Sequence, residues 1–435
     1  MTVPCGYSCC TGDRTVGPIQ AHAPLRNENM HKAIQPQARK TRPRHSARLG
    51  IAANAMLLTL FAAACGDVTD SPPAALNCDT PGVVKSGDTE IPVAPGGYAA
   101  VGNKIINSAT CQPHRFVGVS RPPLGYRPSD ERMGGAAAAA DFATIRSWKA
   151  NVVRIEVSQN FWVPTARWYD PAYPGRVDAA VKAARAAGLS VILALQTSDR
   201  GDPNYPGDIY NSNPQQEMAD VNHSVPFWRD LASRYKDDGN VLFDLFSEPF
   251  WAFQGYNSNW DIWLNGGRVP AARVYDEPRP SYQAAGMQQL YDVVRSTGAQ
   301  NMVIIAGTHW GYYLDSIPKY RVKGHNIAYS AHPWDWVDKQ PDRWEKDWAF
   351  LAKTDPVMLT ETGNYDCTTG YLAKVLDKAD ELDISWVAWS WSVATGAPDQ
   401  AVGNEPTCKA FDLLTDWSGT PSYAGRVVKD RLARY

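Results

Sequence analysis

The sequence predicts an α/β fold, a (β/α)8 TIM barrel with an N-terminal β-hairpin closing the barrel bottom. Eight short apolar runs carry this expectation: Arg115–Ser120, Asn151–Val157, Ser190–Gln196, Val241–Phe246, Met302–Gly307, Ile327–Ala331, Val357–Thr360 and Ser385–Ser392. Segments of helical period lie between most of them, at Ala136–Lys149, Arg176–Ala187, Val221–Asp238, Ser281–Thr297 and Gly370–Leu382. Strands that are apolar throughout and alternate with helices belong to a parallel sheet covered by helices. Eight such units fit a closed barrel better than an open doubly wound sheet. No glycine-rich phosphate-binding turn follows the first run, which weakens the dinucleotide-fold alternative. Ahead of run one, Tyr98 to Ile106 reads as a β-hairpin turning at Gly102-Asn103.

Length and composition agree with one large barrel plus extensions. The chain has 435 residues, 44% hydrophobic and 20% charged, with a formal net charge of -2. That balance shows no basic footprint for nucleic acid and no acidic excess that would favour disorder. Its 16 Trp and 20 Tyr suit stacking on the apolar faces of sugar rings, although each is equally at home in a core.

The N-terminus reads as a targeting segment. Arg39–Arg48 is dense in Arg and Lys, and Ile51–Ala64 is apolar with small residues at its end. This is the layout of a cleaved export signal, too short for a permanent span. Residues ahead of Met30 hold Cys5, Cys9 and Cys10 without a fold-like pattern, so translation is expected to begin at Met30. Leu60–Cys65 resembles a bacterial lipobox, with Ala62 where Leu is usual. Lipidation of Cys65 and plain cleavage after Ala64 are both open, and either takes the protein out of the cytoplasm. The expected organisation is a start region and signal over 1–64, an anchor, linker and extension over 65–96, and a catalytic barrel over 97–435, with Gly66–Asn77 as the linker. Beyond Cys65 the cysteines are Cys78, Cys111, Cys367 and Cys408. Export makes disulfides plausible, and sequence proximity favours Cys78–Cys111 and Cys367–Cys408 among the three pairings. The spacings match no zinc pattern, so neither a metal nor a cofactor is expected.

In such a barrel, chemistry gathers at the C-terminal ends of the strands. Runs two to eight end at Arg154-Ile155-Glu156, Gln196, Ser247-Glu248-Pro249, His309-Trp310, His332-Pro333-Trp334, Glu361 and Trp389-Ser390-Trp391. Glu248 and Glu361 stand out, because a charged side chain seldom ends a buried strand unless it is paired or functional. Capping a helix or pairing with an Arg is the plainer explanation for each. Strands four and seven face each other across a barrel mouth, and two carboxylates on one cleft suit glycoside hydrolysis. Arg154 and His332 are expected to hold Glu361 ionised while Glu248 stays protonated in a drier setting. Other acids, Asp199, Asp202 and Asp335, are expected to be solvated, as is the charged stretch Lys339–Lys346. The aromatic tract Phe250–Trp263, with Trp251, Tyr256, Trp260 and Trp263, forms either a substrate wall or helix packing. His309 and Trp310 line the acceptor side or pack.

From about Gly97 onward the chain resembles glycoside hydrolase family 5, the cellulase-containing family of clan A. Asn240–Pro249 resembles the strand-four signature ending in Asn-Glu-Pro, and Met358–Gly363 the strand-seven nucleophile motif. Val153-Arg154-Ile155 resembles the strand-two Arg motif, Tyr329–Trp334 the His-x-Tyr motif of strand six, and Ile384–Ser390 strand eight with its Trp floor. Val101–Ile106 leading into Phe116–Arg121 resembles the bottom plug and first strand. The resemblance implies Glu248 as acid/base and Glu361 as nucleophile. It also implies substrate contacts from Arg154, Gln196, Ser247, His309, Trp310, His332, Trp334 and Trp389. Three residues depart from the family pattern: Ser247 for Asn, Trp334 for Tyr and Gln196 for His. The implied function is retaining hydrolysis of a β-linked oligo- or polysaccharide, β-1,4-glucan foremost, with mannan and xyloglucan behind. The alternatives are a surface glycan-binding protein with weakened catalysis, and a transglycosylase on the same scaffold. A monomer is expected, with membrane contact only through the lipid anchor.

Overall fold

A computed structural model describes residues 75–204, 216–250, 259–274, 277–364, 369–393 and 412–435. All of them belong to the second of two units into which the chain divides, Met1–Arg39 and Lys40–Tyr435. Eight strands form a closed barrel: β1 Val117–Arg121, β2 Val152–Ser158, β3 Ser190–Thr197, β4 Val241–Asp244, β5 Val303–Ala306, β6 Ile327–Ser330, β7 Val357–Thr362 and β8 Ser385–Ala388. Each is parallel to its neighbours, and β8 pairs back onto β1 through Trp386–Val117 and Ala388–Val119. The flanking helices include α1 Gly135–Ser147, α2 Tyr173–Ala186, α3 Ser224–Tyr235, α4 Met287–Ser296, α5 Gly370–Glu381 and α6 Tyr423–Leu432. Among the described residues no helix is long and apolar enough to cross a membrane.

Strand alternation explains how one sequence feeds two cores. Val153, Ile155 and Val157 of β2 pack outward with the helices. Val152 points inward, where Ile192, Leu242, Ile304, Ala328, Met358 and Val387 fill the lower barrel. The hairpin strands Tyr98–Val101 and Lys104–Asn107 pair as expected. Tyr98 and Ile105 join the inner cluster from below, and the Tyr98 hydroxyl donates to Asn240 Oδ1 at 3.0 Å. That is a plug.

Some boundaries differ from expectation. Leu76 and Asn77, read as the end of a linker, pair with Ser86 and Lys85. They open a three-stranded sheet completed by Thr89–Pro92, because Val84, Ile91 and Val93 bury against Ala99 and Ile106 of the hairpin. The segment expected to be helical from Ser281 begins instead with Tyr282–Ala284, paired antiparallel to Gly267–Val269. Gly286 approaches the Gly266 nitrogen so closely that a Cβ would sit 2.3 Å from it, so the helix starts only at Met287. Trp260 and Trp263 of the aromatic tract are buried. The Trp263 indole donates to the Ala306 carbonyl at 3.0 Å, which makes both packing residues. Trp251 and Tyr256 lie outside the described residues.

Cys78 and Cys111 form a disulfide over a separation of 33 residues, tying the N-terminal sheet to the hairpin. Cys65, Cys367 and Cys408 lie outside the described residues. A loop of that length makes the double variant Cys78→Ser/Cys111→Ser about 3–4 kcal/mol less stable on loop-closure entropy. Urea unfolding followed by Trp fluorescence measures this, and an unchanged midpoint would contradict it.

Candidate active site

The inward alternation that fills the lower barrel with apolar side chains continues upward with polar ones. On β2 the inward positions after Val152 are Arg154 and Glu156, both fully buried. On β4 the position after Leu242 is Asp244. The same spacing beyond Ala328 on β6 gives Ser330 and His332. On β7 alternation from the inward Met358 selects Thr360, but the pairing with β8 shifts register between Leu359 and Thr362. This bulge turns Glu361 inward as well.

Arg154 organises the floor. Its Nη1 donates to Glu361 Oε1 at 2.7 Å and to Glu156 Oε1 at 2.8 Å. Nη2 donates to Ser247 Oγ at 2.6 Å, and Nε to Asp244 Oδ2 at 3.2 Å. Ser247 Oγ in turn donates to Glu361 Oε1 at 3.2 Å. Although burial opposes it, Glu361 and Asp244 keep the guanidinium charged. Burial raises the pKa of Asp244, with Arg154 opposing.

His332 spans the two glutamates. Its Nδ1 lies 3.1 Å from Glu248 Oε1 and 3.7 Å from Glu361 Oε2, and Nε2 lies 2.9 Å from Thr360 Oγ1. Burial pushes the imidazole down to about 4, so at neutral pH it is uncharged. Neutral, it donates through one ring nitrogen and accepts at the other, pairing with Glu248 at Nδ1 and with Thr360 at Nε2. Gly311, at φ +69, gives His332 its room, since a Cβ there would stand 3.0 Å from Nδ1.

The expected division of the two glutamates is reversed in one respect. Glu361 is the drier, with 4% of its side chain exposed against 12% for Glu248. Burial raises the Glu361 pKa, while His332 and Arg154 oppose the rise.

The remaining expected residues divide by depth. Arg154, Ser247 and His332 are fully buried, so they hold the carboxylates from behind and do not line the open cleft. Ser247 in particular bridges Arg154 and Glu361. Gln196 is buried and donates to the Tyr126 hydroxyl at 3.2 Å. Trp334 lies on Gly363 and meets Trp389 edge-on, with centroids 6.4 Å apart; Trp389 is half-buried. Trp310 is half-buried and stacks on Phe250 at 4.9 Å. His309 donates or accepts at Asp338 Oδ2, 3.0 Å away, and stacks on Tyr313. His309 and Trp310 both have left-handed backbone, with φ of 57 and 55, a costly conformation for two successive non-glycine residues.

Three residues were misjudged or missed from sequence. Lys339, expected to be solvated, is buried over the Tyr312 ring, and burial pushes its amine down to about 8 against the pull of Glu248. Asp199 is also buried, but away from the site, in a network with His223 Nδ1 at 2.8 Å and Gln159 Nε2 at 2.9 Å. Tyr126 ends the short turn after β1. Burial and the charges of Glu156, Glu361 and Glu248 push its phenol well up. No spacing in the sequence singles it out.

Glu248, His332 and Glu361 also set ligand atoms within 4.8 Å of one another, the composition of a divalent-cation site. Arg154, 2.7 Å from Glu361, already supplies the positive charge there and would repel a metal ion.

Three wholly or partly buried histidines make a testable stability profile. His114, His325 and His332 are each pushed down to about 4 by burial, below the unfolded value near 6.5. The unfolded chain therefore binds more protons between those values. The stability contributed is fully present above pH 6.5 and is lost as pH falls through 4, most from the fully buried His332 and less from the partly exposed His114 and His325. Glu156 and Glu361, with raised pKa, act in the opposite sense and lose their contribution as pH rises. The melting temperature is expected to fall from pH 6.5 to 4, with a smaller drop in His114→Gln/His325→Gln. An equal drop in that variant would contradict the assignment.

Comparison with known proteins relates the chain to a family of glycosyl hydrolases. A cellulase family model, glycosyl hydrolase family 5, matches residues 110–395. Endoglucanase MaCel5A of Microbulbifer sp. is 26% identical over 304 residues, 66% of this chain and 49% of that protein. Endoglucanase CelA of Streptomyces lividans is 23% identical over 301 residues, 66% of this chain and 55% of that one. The chain thus spans about half the length of these relatives. Among solved structures, β-glucanase SdGluc5_26A of Saccharophagus degradans in complex with cellotetraose superposes with a TM-score of 0.57 at 21% identity, over 78% of this chain and 93% of that one. At that identity the likeness concerns the fold.

Proposed function

The chain belongs to glycosyl hydrolase family 5, and from that membership we propose that it hydrolyses a β-linked glucan with retention of configuration. Glu361 is the nucleophile and Glu248 the acid/base. The observation that carries this reading is the pair of carboxylates at the barrel mouth, whose oxygens come within 4.8 Å of each other around His332. A retaining pair stands about 5–5.5 Å apart, close enough for direct attack, whereas inversion needs room for a water at about 6.5–9.5 Å.

The geometry suits each step. Glu361 Oε1 is held by Arg154 and Ser247, which stabilises its ionised form for attack on the anomeric carbon. Glu248 is the more exposed and protonates the departing glycosidic oxygen. It then takes a proton from the water that frees the sugar. His332, neutral, steers Glu248 through Nδ1. Trp389 and Trp310, each half-buried and backed by Trp334 and Phe250, supply flat apolar surface for sugar rings. The names of the relatives, endoglucanases, and the cellotetraose of the β-glucanase complex support a glucan over other β-glycans.

We further propose export of the chain, with residues 1–64 as start region and signal, Cys65 as the lipidation site, and 97–435 as the hydrolase domain. The mass of the mature N-terminus tests this part. For activity, reducing ends are measured over glucan, mannan, xyloglucan and short aryl glycosides. Release from β-1,4-glucan is expected, while binding without turnover on every substrate would favour the glycan-binding reading suggested by Ser247 and Trp334. Lengthened oligosaccharides at high substrate concentration would favour transglycosylation.

A further inference from the structure

One acid at the floor of the site has no place in the double displacement. Glu156 is fully buried and its Oε1 shares the Arg154 Nη1 nitrogen with Glu361. Its other oxygen, Oε2, is buried without a hydrogen-bond partner. The turn after β1 presses on it so closely that a Cβ at Gly125 would lie 2.8 Å from the Glu156 Cβ. That turn seals the carboxyl from water.

Counting donors assigns the protons. Glu361 accepts from Arg154 at 2.7 Å and Ser247 at 3.2 Å, and has His332 Nδ1 at 3.7 Å. Glu156 accepts one bond, from Arg154. A buried carboxylate with a single donor is far costlier than its neutral acid. Of two carboxyl groups on one guanidinium nitrogen, the better-solvated takes the charge and the other keeps the proton.

We propose that Glu156 is a positioning residue. As a neutral acid on the same Arg154 nitrogen as Glu361, it divides that nitrogen's two hydrogens with the nucleophile and so sets the pH at which Glu361 becomes able to attack. This rests on the reading of Glu361 as nucleophile. The charged and titratable groups facing Glu156 are Arg154 on its own strand, Glu361 on β7 and Glu248 after β4. Tyr126 in the turn after β1 and Tyr173 on α2 complete the set. Burial raises the Glu156 pKa well above the usual carboxylate range, in keeping with the donor count. Were Glu156 replaced by an apolar group, Glu361 would be the only carboxyl acceptor left on that nitrogen, favouring its charged form. Replacement by the neutral amide would keep the sharing.

The test follows covalent labelling of Glu361 by a 2-deoxy-2-fluoro-β-cellobiosyl fluoride, in which the carboxylate bonds to the anomeric carbon and fluoride departs. Labelling rates are measured against pH for the wild type, Glu156→Gln and Glu156→Leu, with the modified peptide identified by mass. Wild type and Glu156→Gln are expected to share one acid limb. In Glu156→Leu the limb moves to lower pH by about one unit, the effect of strengthening an opposite charge. A purely structural role would lower the rate without moving the limb. Coincident limbs for Glu156→Leu and wild type would overturn the proposal. So would a loss of more than about tenfold in Glu156→Gln at every pH, since the ionised form would then be the working one. If the wild type carries no label on Glu361, the nucleophile assignment falls, and this inference with it.

Discussion

Replacing Glu361 by Ala is expected to lower kcat/KM on glucan by at least about 10⁴-fold, since no other group near the anomeric carbon can form the intermediate. The fold should survive the change. Glu361 contributes nothing to the outer core, and the side chains it leaves, Arg154, Ser247 and His332, remain tied to Asp244, Glu156 and Thr360. What remains is a carboxylate-sized space facing a guanidinium hydrogen and a hydroxyl. A small anion fits that space, so azide should restore turnover of an activated aryl β-glycoside and yield the α-glycosyl azide. Undiminished hydrolysis by Glu361→Ala, or an azide product of β configuration, would contradict the assigned role.

Glu248→Ala should separate the two chemical steps. With an aryl glycoside whose leaving group needs no proton, glycosylation of Glu361 proceeds near the wild-type rate. Removal of the sugar then stalls, because no base activates water, a loss of about 10²–10⁴-fold. The expected trace is a burst of one leaving group per protein molecule followed by a slow steady state. On unactivated glucan both steps suffer and turnover disappears. Steady turnover without a burst, at the wild-type rate, would show that Glu248 takes no part.

The barrel was legible because each strand is a short apolar run and each helix keeps its own period. All eight runs became barrel strands, with ends shifted by a few residues. The site was legible in residue identity but not in depth. Arg154, His332 and Glu361 could be placed at strand ends, yet alternation counted from Met358 would send Glu361 outward to the helices. Only the bulge before Thr362 brings it in, and a bulge leaves no mark in a hydrophobic pattern. Lys339 failed for a different reason. In a charged stretch it reads as solvated, but its amine lies buried over the Tyr312 ring, within the pull of the acids of the site. Glu156 stood at a strand end from the outset and drew no role, because its importance lies in sharing one nitrogen with a residue on another strand. Such pairings depend on closure of the barrel.

The central claim is retention through a Glu361–Glu248 pair, and the anomer first released reports it directly. Proton NMR of cello-oligosaccharide hydrolysis by the wild-type protein should show the β-anomer of the product rising first, with the α-anomer following only at the rate of mutarotation. Early appearance of the α-anomer would mean inversion, and would contradict the account.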